Sequence, residues 1–92
     1  MKFEWDEAKN EENIRKHGFD FSSAWRMFES SLVVFPDQRF DYGEQRWIGI
    51  GYLNNRLVLV AFSEPDDETT RIISMRKAKK HERAKFERRI KD

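Results

Sequence analysis

Four side chains in this 92-residue sequence have the types for proton transfer beside a developing negative charge: His17, Glu44, Arg46 and Arg76. An imidazole titrates near neutrality, so His17 could give or take a proton. Glu44 could act as a base or orient Arg46, two residues on. Arg46 and Arg76 would supply fixed positive charge, often the largest catalytic term when it is preorganised. Each also has a plainer use. His17 could cap the last carbonyls of a helix. Glu44 and Arg46 could form a strand ion pair worth about 0.2–1 kcal/mol. Tyr52 could stack on a base or simply pack on a sheet, and His81, among lysines, reads as solvated.

The charge distribution narrows the partner. Residues 71–92 hold ten Lys/Arg against three acids, a net +7, and residues 1–70 hold eight against fourteen, a net −6. The total of +1 hides this split, which favours a polyanion or an acidic protein as partner. Lys77, Lys79, Lys80 and Arg83, with Lys9 from the other end of the chain, are the candidate phosphate contacts. The chain has no Cys, which removes thiolate nucleophiles and zinc–thiolate sites. Two histidines 64 residues apart give no metal-ligand spacing, and no phosphate-binding glycine loop occurs. No metal or cofactor is therefore expected. The length suits a single domain over residues 1–92. No apolar run is long enough for a membrane helix, and the expected setting is cytoplasmic, with no membrane contact.

Lys2–Trp5 reads as a short strand with Phe3 and Trp5 on one face. Asp6 suits the N-cap of a helix running to about His17, with Gly18 as its C′ residue. Its apolar residues are few, Ala8 and Ile14, so it should lean on Trp5 and the next helix. That helix would start at Ser22 or Ser23 and bury Phe21, Trp25 and Phe28 in one stripe, beside Ala24. Strands follow at Leu32–Phe35, Gln45–Leu53, Arg56–Phe62 and Glu68–Met75. Asn54-Asn55 suits a tight hairpin, and Pro65-Asp66-Asp67 a turn. Gly49 and Gly51 share a face and leave room for a packed helix. Arg71 and Arg76, an odd number apart, should face opposite ways in a regular strand. A basic helix closes the chain on a thin stripe of Ala78, Phe86 and Ile90. The class is α+β: a short strand, two helices, a four-stranded antiparallel meander and a basic C-terminal helix.

Three separated motifs carry a resemblance. Phe3-Glu4-Trp5-Asp6 with Lys9, Asn13 and Lys16-His17-Gly18 resembles the opening of BrnT toxins. Gly43-Glu44-Gln45-Arg46 leading into Ile48-Gly49 is similar to their middle motif. Arg71-Ile72-Ile73-Ser74-Met75-Arg76-Lys77-Ala78, then Glu82-Arg83 and Phe86-Glu87, is similar to their closing motif. Phe86 departs from the pattern, since many members carry Tyr there. The resemblance implies a RelE-like ribonuclease fold and the toxin role of a type II toxin–antitoxin pair. The implied partners are RNA and a BrnA-type antitoxin with a ribbon-helix-helix part, which would make any contact with operator DNA.

Such an enzyme would cut RNA through the ribose 2′-OH and so inhibit translation. A base takes the 2′ proton, cations meet the charge on the phosphorane, and an acid protonates the leaving 5′ oxygen. On this expectation Arg76 stabilises the phosphorane, Arg46 positions the phosphate and His17 shuttles a proton. The alternative is a non-catalytic module whose basic helix docks on RNA or on an acidic protein.

Overall fold

A computed structural model describes residues 1–91. Strand β1 (Lys2–Glu4) leads into helix α1 (Glu7–His17). A 3₁₀ turn (Phe21–Ser23) and a one-turn helix α2 (Trp25–Phe28) follow. Strands β2 (Val33–Pro36), β3 (Trp47–Leu53), β4 (Arg56–Asp66) and β5 (Thr69–Lys77) come next, and helix α3 (Lys80–Lys91) closes the chain. The five strands form one sheet in the order β1-β5-β4-β3-β2. The expected antiparallel meander is β2 to β5, and β1 adds to it parallel to β5. The run RLVLVAF lies in β4, the middle strand, buried on both faces.

The turns follow their chemistry. The Asp6 side chain accepts from the Lys9 amide at 3.1 Å and so caps α1. Gly18 ends that helix at φ 77°, where a glycine pays no Cβ penalty. Asn54 and Asn55 both take positive φ, giving the two-residue turn that matches strand twist. Pro65, expected in a turn, sits instead within β4, at an irregularity between Ser63 and Asp66. Such breaks tolerate a residue without an amide hydrogen.

Helix α1 docks in a way its apolar residues do not suggest. Ala8 and Ile14 are exposed, and its buried side chains are Asn10 and Asn13. Asn10 Oδ1 accepts from the Phe21 amide at 2.8 Å, and its Nδ2 donates to Asp20. Asn13 Nδ2 donates to the Phe19 carbonyl at 3.0 Å, and its Oδ1 accepts from the Met75 amide at 3.1 Å. β1 pairs with β5 only at residues 69–71. The amide of Met75 on that edge would lack a strand partner, and Asn13 supplies the acceptor.

The second helical stretch also differs from expectation. Asp20, not Ser22 or Ser23, caps the 3₁₀ turn by accepting from the Ser22 amide at 2.9 Å. A turn of three residues per repeat aligns Phe21, Ala24 and Met27. These are buried, and Trp25 is left 44% exposed. They pack with Phe19 on Leu53, Val58, Val60, Phe62, Ile72 and Met75, with Phe3 and Trp5 against the margin. The opposite face of the sheet carries Val33, Ile48, Ile50, Leu57 and Leu59 under Ala78 and Phe86. Ile90, expected in that stripe, is 50% exposed.

Two further expectations fail for identifiable reasons. The space at Gly49 and Gly51 is filled by Leu32, not by a helix; a Cβ at either position would meet Leu32 Cδ1 at 3.1 Å. In β5, Ser74 pairs with Ala61 and Ile72 with Phe62, so Ile73 is an extra, bulged residue. Ile72 and Met75, three apart, therefore join the same core. The bulge cancels the odd-spacing argument that set Arg71 opposite Arg76.

Candidate functional site

The site is built on the sheet face that α3 covers. Arg76 lies opposite Leu59 in the β4–β5 register and shares that face. Its guanidinium forks onto Glu82 of α3, with Nη1 to Oε1 at 2.9 Å and Nη2 to Oε2 at 2.8 Å. Parallel bonds of this kind fix both groups in orientation. Glu82 Oε1 also accepts from the Lys79 amide at 2.7 Å. That contact reaches from the third helical residue back to the cap, which is half of a capping box. Glu82 is thus the hinge pin between strand and helix. Burial pushes its pKa up, but bonds from Arg76 and the Lys79 amide, with the charges of Arg76 and His81, hold it below the ordinary carboxylate value. His81 Nε2 lies 3.9 Å from Glu82 Oε2.

A loop between β2 and β3 forms the facing wall. Its anchor is Asp37, whose side chain is 1% exposed. Asp37 Oδ1 accepts from the Arg39 amide (3.2 Å) and Nε (2.9 Å); Oδ2 accepts from Arg39 Nη2 (2.9 Å) and the Tyr42 hydroxyl (3.1 Å). The Arg39 hydrogen bonds outweigh burial and hold the Asp37 carboxyl down to about 2. The Tyr42 ring in turn carries the Arg46 guanidinium 4.0 Å from its centroid. Arg46 Nε donates to Glu44 at 3.0 Å. Asp37 therefore braces Arg39 directly and Arg46 through Tyr42.

Between the loop and α3 runs a groove of about 350 Å³ lined by Phe35, Pro36, Gln38, Arg39, Ile48, Leu59, His81, Glu82 and Lys85. Lys85 Nζ lies 3.7 Å from the Phe35 ring centroid. The groove offers cations on both walls, one aromatic floor residue, an imidazole and a carboxylate. That set can hold a phosphate, contact a base and move a proton.

The candidates named from sequence separate in space. Arg76 reaches the groove through Glu82, and Arg46 with Glu44 stands on the adjoining loop. Lys77, Lys79 and Lys80 are exposed where β5 passes into α3, and Arg83 is half-buried on α3. His17 and Lys9 lie elsewhere. With Glu12, Asn13 and Lys16 of α1 they line a shallow pocket against Ile73 and Ser74 of β5. Among the described residues, no hydrogen bond or ion pair links His17 to Arg46 or Arg76. Sequence reasoning missed Arg39, Asp37, Phe35 and Lys85; His81, read as solvated, is 78% exposed where it lines the groove. One signal was available: Arg39, Phe40, Tyr42 and Arg46 interleave cations with aromatic rings in a short polar stretch. Among the described residues, no three His, Asp or Glu side chains are grouped to hold a metal ion, and no helix is long and apolar enough to cross a membrane.

Comparison with curated protein sequences gave no significant match. Among solved structures, the chain is similar to the Brucella abortus ribonuclease toxin BrnT. The two are 36% identical, with a TM-score of 0.72, and the match covers 87% of this chain and 99% of that one. A family model described as the ribonuclease toxin BrnT of type II toxin–antitoxin systems matches residues 5–82. That span runs from Trp5 through the Asp37 loop to Glu82 and so takes in the loop wall and the start of α3, but not Lys85. With fold, motifs and family model in agreement, the chain belongs to the BrnT family of ribonuclease toxins of type II toxin–antitoxin systems.

Proposed function

We propose that this chain is a metal-independent endoribonuclease that inhibits translation, is neutralised by a BrnA-type antitoxin, and works in the groove between the Asp37 loop and α3. The single observation behind this reading is the composition of that groove: Arg39 and Lys85 line it together with the Phe35 ring, Glu82 and His81. In the proposed reaction the ribose 2′ oxygen attacks the adjacent phosphorus and the 5′ oxygen leaves. Arg76, bonded to groove-lining Glu82, and Arg46, on the loop that carries Arg39, meet the phosphorane charge. Glu82 is held below the ordinary carboxylate value with both oxygens bonded, so it orients Arg76 rather than taking the 2′ proton. His81 is the imidazole on the same wall, and it takes over the proton role first assigned to His17. Lys77, Lys79, Lys80 and Arg83 steer RNA toward the groove.

One observation favours the non-catalytic alternative: Glu82 already occupies the fork of Arg76. Product chemistry separates the two readings. Purified toxin incubated with single-stranded RNA in EDTA should leave 2′,3′-cyclic phosphate and 5′-hydroxyl ends. Intact RNA in both EDTA and magnesium would reject catalysis, and cleavage only with magnesium would reject metal independence.

A further inference from the structure

The loop that carries Arg39 and Arg46 also carries Phe40, and Phe40 is 72% exposed. A lone exposed apolar residue is ordinary. What sets this one apart is how firmly its loop is held. Asp37 binds the residue before Phe40 through three hydrogen bonds and Tyr42 through a fourth. Asp41 accepts from the Gly43 amide at 3.0 Å, where the chain turns at φ 74°. The ring thus stands in water on a braced support. Among the described residues its one aromatic contact is an edge-to-face meeting with Tyr42, at 5.9 Å between centroids and 72° between planes. With 72% of the residue exposed, at least one face of the ring is open to solvent. Arg39 precedes Phe40 and lines the groove, and the Arg46 guanidinium lies 4.0 Å from the Tyr42 centroid.

We infer that Phe40 is a stacking platform for a nucleobase of single-stranded RNA, next to the phosphate being cut. The inference rests on the ribonuclease reading and adds to it the residue that grips the neighbouring nucleotide. Surfaces that hold single strands alternate cations for the backbone with rings for the bases, and any base has a face to offer. Arg39, Phe40, Tyr42 and Arg46 follow that alternation. The groove's opposite wall, with His81 and Lys85, is basic as well, so a polyanion fits this corner better than an apolar protein knob does. Because the loop is already fixed, a base finds the ring without first ordering it.

The test is binding, kept apart from cleavage. A fluorescein-labelled 2′-O-methyl oligoribonucleotide of mixed sequence, which cannot be cut by 2′-OH attack, is titrated with wild type, Phe40→Ala, Phe40→Leu and Phe40→Trp. Because Phe40 is exposed, all four should share one melting temperature. Ala and Leu should each weaken binding about 10-fold, in the range for loss of one stacked base. Trp should bind as wild type or tighter. The salt dependence should stay the same in all four, since no cation is removed. Wild-type affinity in the Leu variant would mean that apolar bulk suffices and would overturn stacking. Unchanged RNA binding by Phe40→Ala, with weaker antitoxin binding, would make the ring a protein contact instead. If wild type itself does not bind, the ribonuclease reading falls and takes this inference with it. If wild type binds and Phe40→Ala binds equally, only the stacking assignment falls.

Discussion

Replacing Asp37 by Asn should weaken the fold by about 1–2 kcal/mol at neutral pH and should make that loss vanish in acid. The structure supplies the reasoning. Each carboxylate oxygen of Asp37 accepts two hydrogen bonds. Whichever oxygen becomes an NH₂, two donors lose their acceptor and face another donor. The pKa gives the size. Asp37 is lowered from 3.8 to about 2, first by the Arg39 hydrogen bonds. At about 1.36 kcal/mol per pH unit, that is roughly 2 kcal/mol. Arg39 is half exposed, so water screens part of it. The sign follows from a folded pKa below the unfolded one. The stabilisation is complete above about pH 4 and is lost as pH falls toward 2. The carboxylates of Asp20, Asp66, Glu12 and Glu82 are lowered too, so acid weakens both proteins. The difference between wild type and Asp37→Asn isolates Asp37. Urea unfolding of both at pH 7, 5, 4, 3 and 2 measures it. The gap should hold from pH 7 to about 4 and then close, with a melting difference near 10 °C at pH 7. A gap that persists at pH 2, or no gap at pH 7, would refute the bracing role.

Three further outcomes are expected. His81→Ala should reduce RNA cleavage about 10²-fold or more while His17→Ala leaves cleavage by the folded protein intact; the reverse order of rates would return the proton role to His17. Arg76→Met with Glu82→Leu should unfold at a denaturant concentration closer to wild type than Arg76→Met alone, because the single change strands a half-buried carboxylate, yet both should be inactive; normal cleavage by the double variant would make the pair purely structural. Asn13→Leu should cost about 2 kcal/mol or more, since it leaves the Met75 amide and the Phe19 carbonyl without partners, and hydrogen exchange at Met75 should accelerate more than at Val60.

Much of the fold can be read from the chain because local chemistry decides it. Asp6 and Gly18 bound α1, Asn54-Asn55 makes the hairpin, and the two-faced apolar run of β4 has to be central. The parts that could not be read depend on distant partners. Asn13 looks like a surface residue until the open edge of β5, 62 residues away, is known to need an acceptor. Leu32 gives no sign that it will fill the glycine pair, and the bulge at Ile73 shows only in the register with β4. The same limit applies to the site. The basic tail follows from composition, and with it the expectation of a polyanion partner. The Arg76–Glu82 fork requires knowing how α3 turns back over the sheet. The Asp37 anchor requires the loop's path, and His17 drew attention through its type and motif, which do not say where its helix lies.

The parallel pairing of β1 with β5 also sets an order of events. Lys2 donates to the Glu68 carbonyl at 2.7 Å, so the first strand synthesised needs one of the last elements before it can dock. Such a closure spans most of the chain and gains little until the loop is paid for in entropy. The meander β2–β5 has short connections by comparison and is expected to form the nucleus, with β1 and α1 arriving late. Folding rates should then respond strongly to Val60→Ala and weakly to Phe3→Ala, which should act mainly on unfolding. The groove lies on the meander and α3, so it can be assembled while the N-terminal elements are still undocked. An antitoxin that recognises the meander could therefore reach a newly made chain before its fold is closed.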